Sequence, residues 1–247
     1  MLFVSVVLAS AAVGCSSASG DGGGGGGAPA PSATTSTDPQ RAVQTGKIVD
    51  FDTSKALAGA TIDDGLGDTA TSAADGTYSL SVVKDTPFSM RVTAGSYIKL
   101  LEQQTQLSQD YDRGPTTMVA TSLANTLHTL LPHYDATLGV LSVQAIPQGE
   151  CESEAGAKVE VDGASGFQVV YFQHKIPNLQ LTGMEAGELP SAVIYNLPPG
   201  APVTVRLSHP KCKQMPFPVT GTGGITYLGA VTTEAGDATA FQRLFLQ

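Results

Sequence analysis

Hydrolysis and metal binding both draw first on histidine. The chain has four, in the settings His128-Thr129-Leu130-Leu131, His133-Tyr134-Asp135-Ala136, His174-Lys175-Ile176-Pro177 and His209-Pro210-Lys211-Cys212. None has the His-Glu-x-x-His spacing that sets two zinc ligands and a general base on one helix face. His128 and His133 are separated by Pro132, so no single helix face presents both. Gly163-Ala164-Ser165-Gly166 is one residue short of a Gly-x-Ser-x-Gly nucleophile turn. Gly221-Thr222-Gly223-Gly224 lacks the Lys-Ser/Thr that a phosphate-binding loop needs. Both read as β-turns. Asp63, Asp64 and Asp68, set around Gly65 and Gly67, could offer oxygens to Ca²⁺. No bidentate Glu stands at the right remove, and a solvated turn is the preferred reading. These patterns predict no catalytic residue, no metal ligand and no cofactor. An enzymatic alternative requires residues that meet only in space, such as His209 or His174 with Ser208 and an Asp.

The three cysteines are Cys15, Cys151 and Cys212. Residues 2–13 are an apolar run, and a helix of that length rises about 18 Å, short of a roughly 30 Å hydrocarbon core. It fits the apolar region of a signal peptide. The following Ala12-Val13-Gly14-Cys15 resembles the lipobox of bacterial lipoproteins, with Ala12 where Leu is usual. That resemblance implies lipidation of Cys15 as the mature N-terminus and a membrane as the partner of the lipid. The first basic residue is Arg41, so the positively charged start of such a signal is expected upstream of Met1. Ser16 after the cysteine resembles the pattern of lipoproteins that reach the outer membrane, facing the periplasm or the exterior. With Cys15 lipidated, Cys151 and Cys212 remain as an even pair in an exported protein, where a disulfide is expected.

Composition narrows the partners. The 247 residues carry 22 acids against 13 bases, a net charge of −9, which disfavours phosphate backbones and anionic lipid surfaces. Hydrophobic residues make up 41%, enough for a sizeable core. Residues 16–40 hold nothing apolar larger than Ala and include six consecutive glycines, Gly22 to Gly27. Such a segment cannot offset its ordering entropy and reads as a tether, ending by residue 42.

The elements beyond it read as strands. Thr45 to Asp50 is a short strand, and Gly59-Ala60-Thr61-Ile62 starts another. Asp75-Gly76 is a hairpin signal, with Tyr78, Leu80 and Val82 alternating after it. Phe88 to Ala94 repeats that period of two. Met118, Val119, Leu123, Leu127, Leu130 and Leu131 follow helical spacing, which predicts one amphipathic helix over 116–131, stopped by Pro132. Beyond Gly139, β-rich segments resume at 140–146, 155–161, 169–172, 192–197, 203–207, 225–231 and 240–246. The expected architecture is mainly β: two prealbumin-like or Ig-like β-sandwiches, over 43–112 and 139–247, joined by a linking segment 113–138 with one short amphipathic helix.

Gly46-Lys47-Ile48-Val49-Asp50, Leu57-Ala58-Gly59-Ala60-Thr61-Ile62 and Ala74-Asp75-Gly76-Thr77-Tyr78-Ser79-Leu80 together resemble the carboxypeptidase regulatory-like domain. The resemblance implies a seven-stranded prealbumin-like (transthyretin-like) sandwich. Gly59 and Gly76 would sit where tight turns or close strands exclude a Cβ. The His-x-x-Glu zinc motif of metallocarboxypeptidases is missing, so the resemblance implies an accessory fold and no peptidase activity. The expected function is a non-catalytic envelope lipoprotein that scaffolds or recognises through sandwich loops. Its expected partner is an envelope protein or polysaccharide. The competing readings are the dispersed-residue hydrolase and a Ca²⁺-stabilised adhesin.

Overall fold

The structure, a computed structural model, describes residues 38–247. The N-terminal half supplies β1 (Arg41–Asp50), β2 (Thr61–Asp63), β3 (Thr69–Thr71), β4 (Thr77–Val83), β5 (Arg91–Thr93), β6 (Lys99–Glu102), β7 (Thr105–Leu107) and β8 (Tyr111–Met118). After α1 (Thr121–His128) come β9 (Gly139–Pro147), β10 (Lys158–Asp162), β11 (Gln168–Gln173), β12 (Ile176–Asn178), β13 (Ala192–Leu197) and β14 (Pro202–Ser208). The chain closes with β15 (Val219–Thr220), β16 (Ile225–Tyr227), β17 (Val231–Thr232) and β18 (Ala238–Leu246).

One nine-stranded sheet runs through the whole body, in the order β12-β11-β13-β9-β18-β6-β5-β2-β3. The three-stranded sheet β4-β1-β8 lies over its β6-β5-β2-β3 end, and seven strands enclose a core of Ile48, Leu80, Val82 and Met118 against Ile62 and Val92. The sheet β10-β14-β17 lies over the opposite face at the other end. There Val203, Val205 and Leu207 meet Leu141, Val143 and Ile194. The side-chain period of two makes this possible, because Leu100 points into the first core while its neighbour Leu101 points into the second.

The fold is thus mainly β, with one α-helix among the described residues. The helix lies between the two sandwiches in the chain. The join in space is made by β18, parallel to β6 on one side and to β9 on the other. A smaller sheet, β15-β16-β7, adds a second link by pairing Thr105–Leu107 with Ile225–Tyr227.

Several local expectations change. The helix predicted over 116–131 is shorter, because Thr116, Thr117 and Met118 pair with β1 as the end of β8. The amide of Leu130 bonds the carbonyl of Leu127, and that of Leu131 bonds His128, so tight turns carry the helical spacing of Leu123, Leu127 and Leu131 past the helix end. Asp75-Gly76 turns the chain, but β3 and β4 lie in different sheets, so it makes a corner and not a hairpin. Strand β1 begins at Arg41, and Ala42 is fully buried, which shortens the expected tether at its C-terminal end. The polar stretch after Glu102 contains β7 and the fully buried Gln103.

Candidate functional site

Cys15, the signal segment and most of the tether lie outside the described residues. Cys151 and Cys212 are joined by a disulfide, 61 residues apart in sequence, linking the chain after β9 to the chain after β14. His209 lies beside them, and its ring nitrogen together with the two sulfurs is the only three-residue grouping of possible metal ligands among the described residues. Its hydrogen bonds assign it a different task. Nδ1 accepts from the amides of Lys211 (3.1 Å) and Cys212 (2.9 Å), which leaves Nε2–H to donate to the Ala155 carbonyl at 3.0 Å. Both nitrogens are committed to holding the turn that carries Cys212.

The remaining histidines do not converge on it. His174 sits at positive φ in the turn between β11 and β12, and His133 at positive φ after α1. The aspartates also disperse. Asp64 is buried, and its Oδ1 accepts from the amides of Leu66, Gly67 and Asp68, while Asp63 Oδ1 caps Gly65. Asp68 pairs with Arg41. These carboxylates shape the β2–β3 turn.

The cavity of note arises from the offset between the two covering sheets. On the face that carries the first core, the part of the long sheet formed by β18, β9, β13 and β11 has no covering sheet. The axes of the outer two of those four strands lie roughly 14 Å apart, and their side chains extend the face further. α1, with eight residues, is only about 12 Å long and cannot cover them all. An apolar cavity of ≈ 100 Å³ remains beneath it. Its floor is Leu100, Phe241, Ser142, Val193 and Phe172, one residue from each of five adjacent strands. Its roof is Ala124, Leu127, His128 and Leu131.

Two sets of contacts hold the walls. On one side the Tyr195 hydroxyl donates to the Pro132 carbonyl at 3.1 Å, and Asn196 Nδ2 donates to the His133 carbonyl at 2.9 Å. On the other, Lys175 Nζ lies 5.1 Å from the centre of the Phe51 ring, a cation–π contact between the β11–β12 turn and the first sandwich. Glu188 fixes that turn by accepting from the amides of His174 and Lys175.

His128 is the titratable residue of the lining. It stacks on Tyr134 at 4.0 Å between ring centres. Burial pushes its pKa below the ordinary imidazole value, with Asp237 acting in the opposite direction. The lining hydroxyls Ser142 and Thr239 bond each other at 3.3 Å, and no hydrogen bond joins His128 to a serine among the described residues. This arrangement can enclose an apolar group; it supplies no nucleophile with a base beside it.

A charged cluster lies farther along the same face. Glu102 on β6 is buried between Arg113 on β8 and Arg243 on β18, with Arg243 at 3.2 Å. Burial raises the Glu102 carboxyl, but Arg113 and then Arg243 outweigh it and hold the group below the usual carboxylate range. The Arg243 guanidinium also lies 4.8 Å from the ring centre of Phe241, which backs one end of the cavity.

The cavity residues escaped sequence reasoning because they are dispersed over seven strands, a helix and the loops between them. A signal existed in Ala192-Val193-Ile194-Tyr195, an unbroken buried run with no polar alternation, which marks a strand covered on both faces.

No protein-family profile and no curated protein matches the chain. Solved structures give distant likenesses. A type II cohesin–X-dockerin complex from Acetivibrio cellulolyticus matches over 32% of this chain and 56% of its own, at 15% identity and TM-score 0.28. The Bacillus anthracis TIE protein matches over 84% of this chain and 34% of its own, at 9% identity and TM-score 0.27. The chain therefore spans about half of the first and a third of the second. A putative carbohydrate-binding protein from Bacteroides uniformis matches over 78% of this chain and 98% of its own, at 12% identity and TM-score 0.26.

Proposed function

We propose that the chain is a non-catalytic recognition module of the bacterial cell envelope, moored at the outer membrane by lipid on Cys15. The observation that carries the binding role is the cavity beneath α1, apolar and walled by both sandwiches and the helix. The lipobox-like Ala12-Val13-Gly14-Cys15 and the tether-like composition after it support the mooring. An exported location also suits the Cys151–Cys212 disulfide. The motifs of the first sandwich that resemble the carboxypeptidase regulatory-like domain support an accessory role over catalysis. The partner class is an envelope molecule that offers an apolar group to the cavity.

Fractionation tests the mooring: Cys15→Ser should move the protein from the membrane to the soluble fraction, and persistent membrane partition contradicts it. The non-catalytic role is tested by replacing His128, His133, His174 and His209 together. Capture of envelope components by the protein should survive, and loss of a measured hydrolytic activity would restore the enzyme reading.

A further inference from the structure

The Cys151–Cys212 disulfide lines a pocket of ≈ 450 Å³ together with Glu150, Glu152, His209 and Lys211. That is about three times the roughly 150 Å³ of an engineered cavity that holds a benzene. Glu150, Glu152, Pro210, Lys211 and Gln247 of the lining are exposed, so the pocket opens to solvent. The two sulfurs differ in access: Cys151 is buried and Cys212 only half-buried, so an entering reagent meets Cys212 first. The charged groups of Glu150, Glu152 and Lys211 make no ion pair among the described residues. One unpaired ammonium and two unpaired carboxylates thus line the approach to the disulfide.

The segments that carry the two cysteines are held without the crosslink. The Gln148 amide donates to the Leu246 carbonyl at 2.8 Å, and the Cys151 amide donates to the Gln148 carbonyl at 3.0 Å. On the other side, Lys213 and Gln247 exchange two backbone hydrogen bonds, at 2.7 and 2.9 Å, and the Met215 amide bonds the Phe245 carbonyl. Both segments are fastened in this way to the end of β18. His209 also ties the Cys212 turn to the Ala155 carbonyl. Opening the S–S bond therefore leaves the sulfurs within reach of each other, and the bond can close again.

We infer that this disulfide is an exchange site for a small zwitterionic thiol, an amino acid or short peptide, which attacks at Cys212. The entering thiolate bonds to Cys212 Sγ as the Cys151–Cys212 bond breaks. The electron pair leaves on Cys151 Sγ, which takes a proton from solvent. The products are a mixed disulfide on Cys212 and a free thiol on Cys151, and no other oxidant or reductant enters. Cys151 Sγ lies 3.6 Å from the Ser153 carbonyl, which accepts a weak hydrogen bond from the new S–H. Lys211 meets the carboxylate of the entering thiol, and Glu150 and Glu152 meet its ammonium, which favours it over an uncharged thiol. The site is separate from the cavity beneath α1 and does not rest on the binding role.

The test treats the full-length folded protein with excess cysteine, or with 2-mercaptoethanol as the uncharged probe. Free thiols are then trapped with N-ethylmaleimide and the peptides mapped by mass, which keeps the Cys15 peptide apart. The cysteine adduct should appear on Cys212 and the maleimide on Cys151, with the circular dichroism of the parent retained. Dilution out of cysteine should expel the adduct and restore the disulfide. Lys211→Gln, at an exposed position, should slow exchange with cysteine about two- to fivefold, as for an exposed ion pair, and leave 2-mercaptoethanol unchanged. Exchange that begins only where urea unfolds the chain, or adducts spread equally over both cysteines or gathered on Cys151, would overturn the assignment. So would an adduct that persists on dilution, or a Lys211→Gln variant that treats the two thiols as the parent does.

Discussion

A β-carbon placed on Gly76 would stand 2.5 Å from the carbonyl oxygen of Ile48, and Gly76 has φ +82°. The same two residues are hydrogen-bonded, the Ile48 amide donating to the Gly76 carbonyl at 2.8 Å. The corner between β3 and β4 is therefore pressed against β1, and neither side can retreat without breaking the first sandwich. Gly59 differs: its φ is +73°, yet nothing lies within 4 Å of where its β-carbon would be. Gly76→Val should cost about 2–4 kcal/mol, combining backbone strain with a backbone clash. Gly59→Ala should cost only about 1–2 kcal/mol, from conformation alone. Urea midpoints of the two variants check the ranking, and equal losses would show that crowding at Ile48 is relieved cheaply.

The first sandwich was legible in the sequence because its alternation is clean: Tyr78, Leu80 and Val82 face one core and the residues between them face outward. The second was legible as strands but not as a partner in one continuous sheet. Strand β18 gives no local sign that it pairs in parallel with both β6 and β9, since parallel partners lie far apart in the chain. The helix was overextended at its start because Met118 and Val119 fit helical spacing, while the ladder with β1 claimed Thr116 to Met118. The cavity was illegible for a related reason. It follows from where the two covering sheets stop, a property of the assembled layers and of no single segment.

The disulfide closes a loop of 61 residues that contains most of the second sandwich. In the chain-entropy description such a crosslink stabilises by roughly 4 kcal/mol, less any strain in the native state. Replacing Cys151 and Cys212 together by Ser should lower the melting temperature clearly, and reductant should do the same to the parent protein. Because His209 also holds the Cys212 turn through the Ala155 carbonyl, His209→Ala should add a smaller loss. A melting curve indifferent to reductant would show that this turn is held without the crosslink.

Glu102 governs stability in acid. Its folded pKa lies below the ordinary glutamate value of 4.5, because Arg113 and Arg243 outweigh the effect of burial. A depressed carboxylate contributes stability that is fully present above its unfolded pKa and is lost as the pH falls through the folded one. The denaturation midpoint should therefore drop below about pH 4.5. Glu102→Gln should cost about 3–5 kcal/mol at neutral pH, since it leaves two guanidiniums without their shared anion, and it should flatten the acid limb. An unchanged acid limb in that variant would assign the loss to other carboxylates.

His128 gives a second window, higher in pH. Burial lowers its folded pKa from 6.5, so the unfolded chain takes up its proton first as the pH falls. Stability is therefore full above about pH 6.5 and declines below it, until the folded ring is protonated too. The effect should be local, because His128 stacks on Tyr134 where the roof of the cavity meets the loop after α1. Protection factors of the amides in α1 and the following turns, corrected for the intrinsic slowing of exchange in acid, should fall as the pH drops below about 6.5, before the Glu102 window opens. His128→Phe retains a ring for the stack and cannot titrate, so exchange in that variant should show no corresponding step. A step that survives the substitution would move the sensor to a group other than His128.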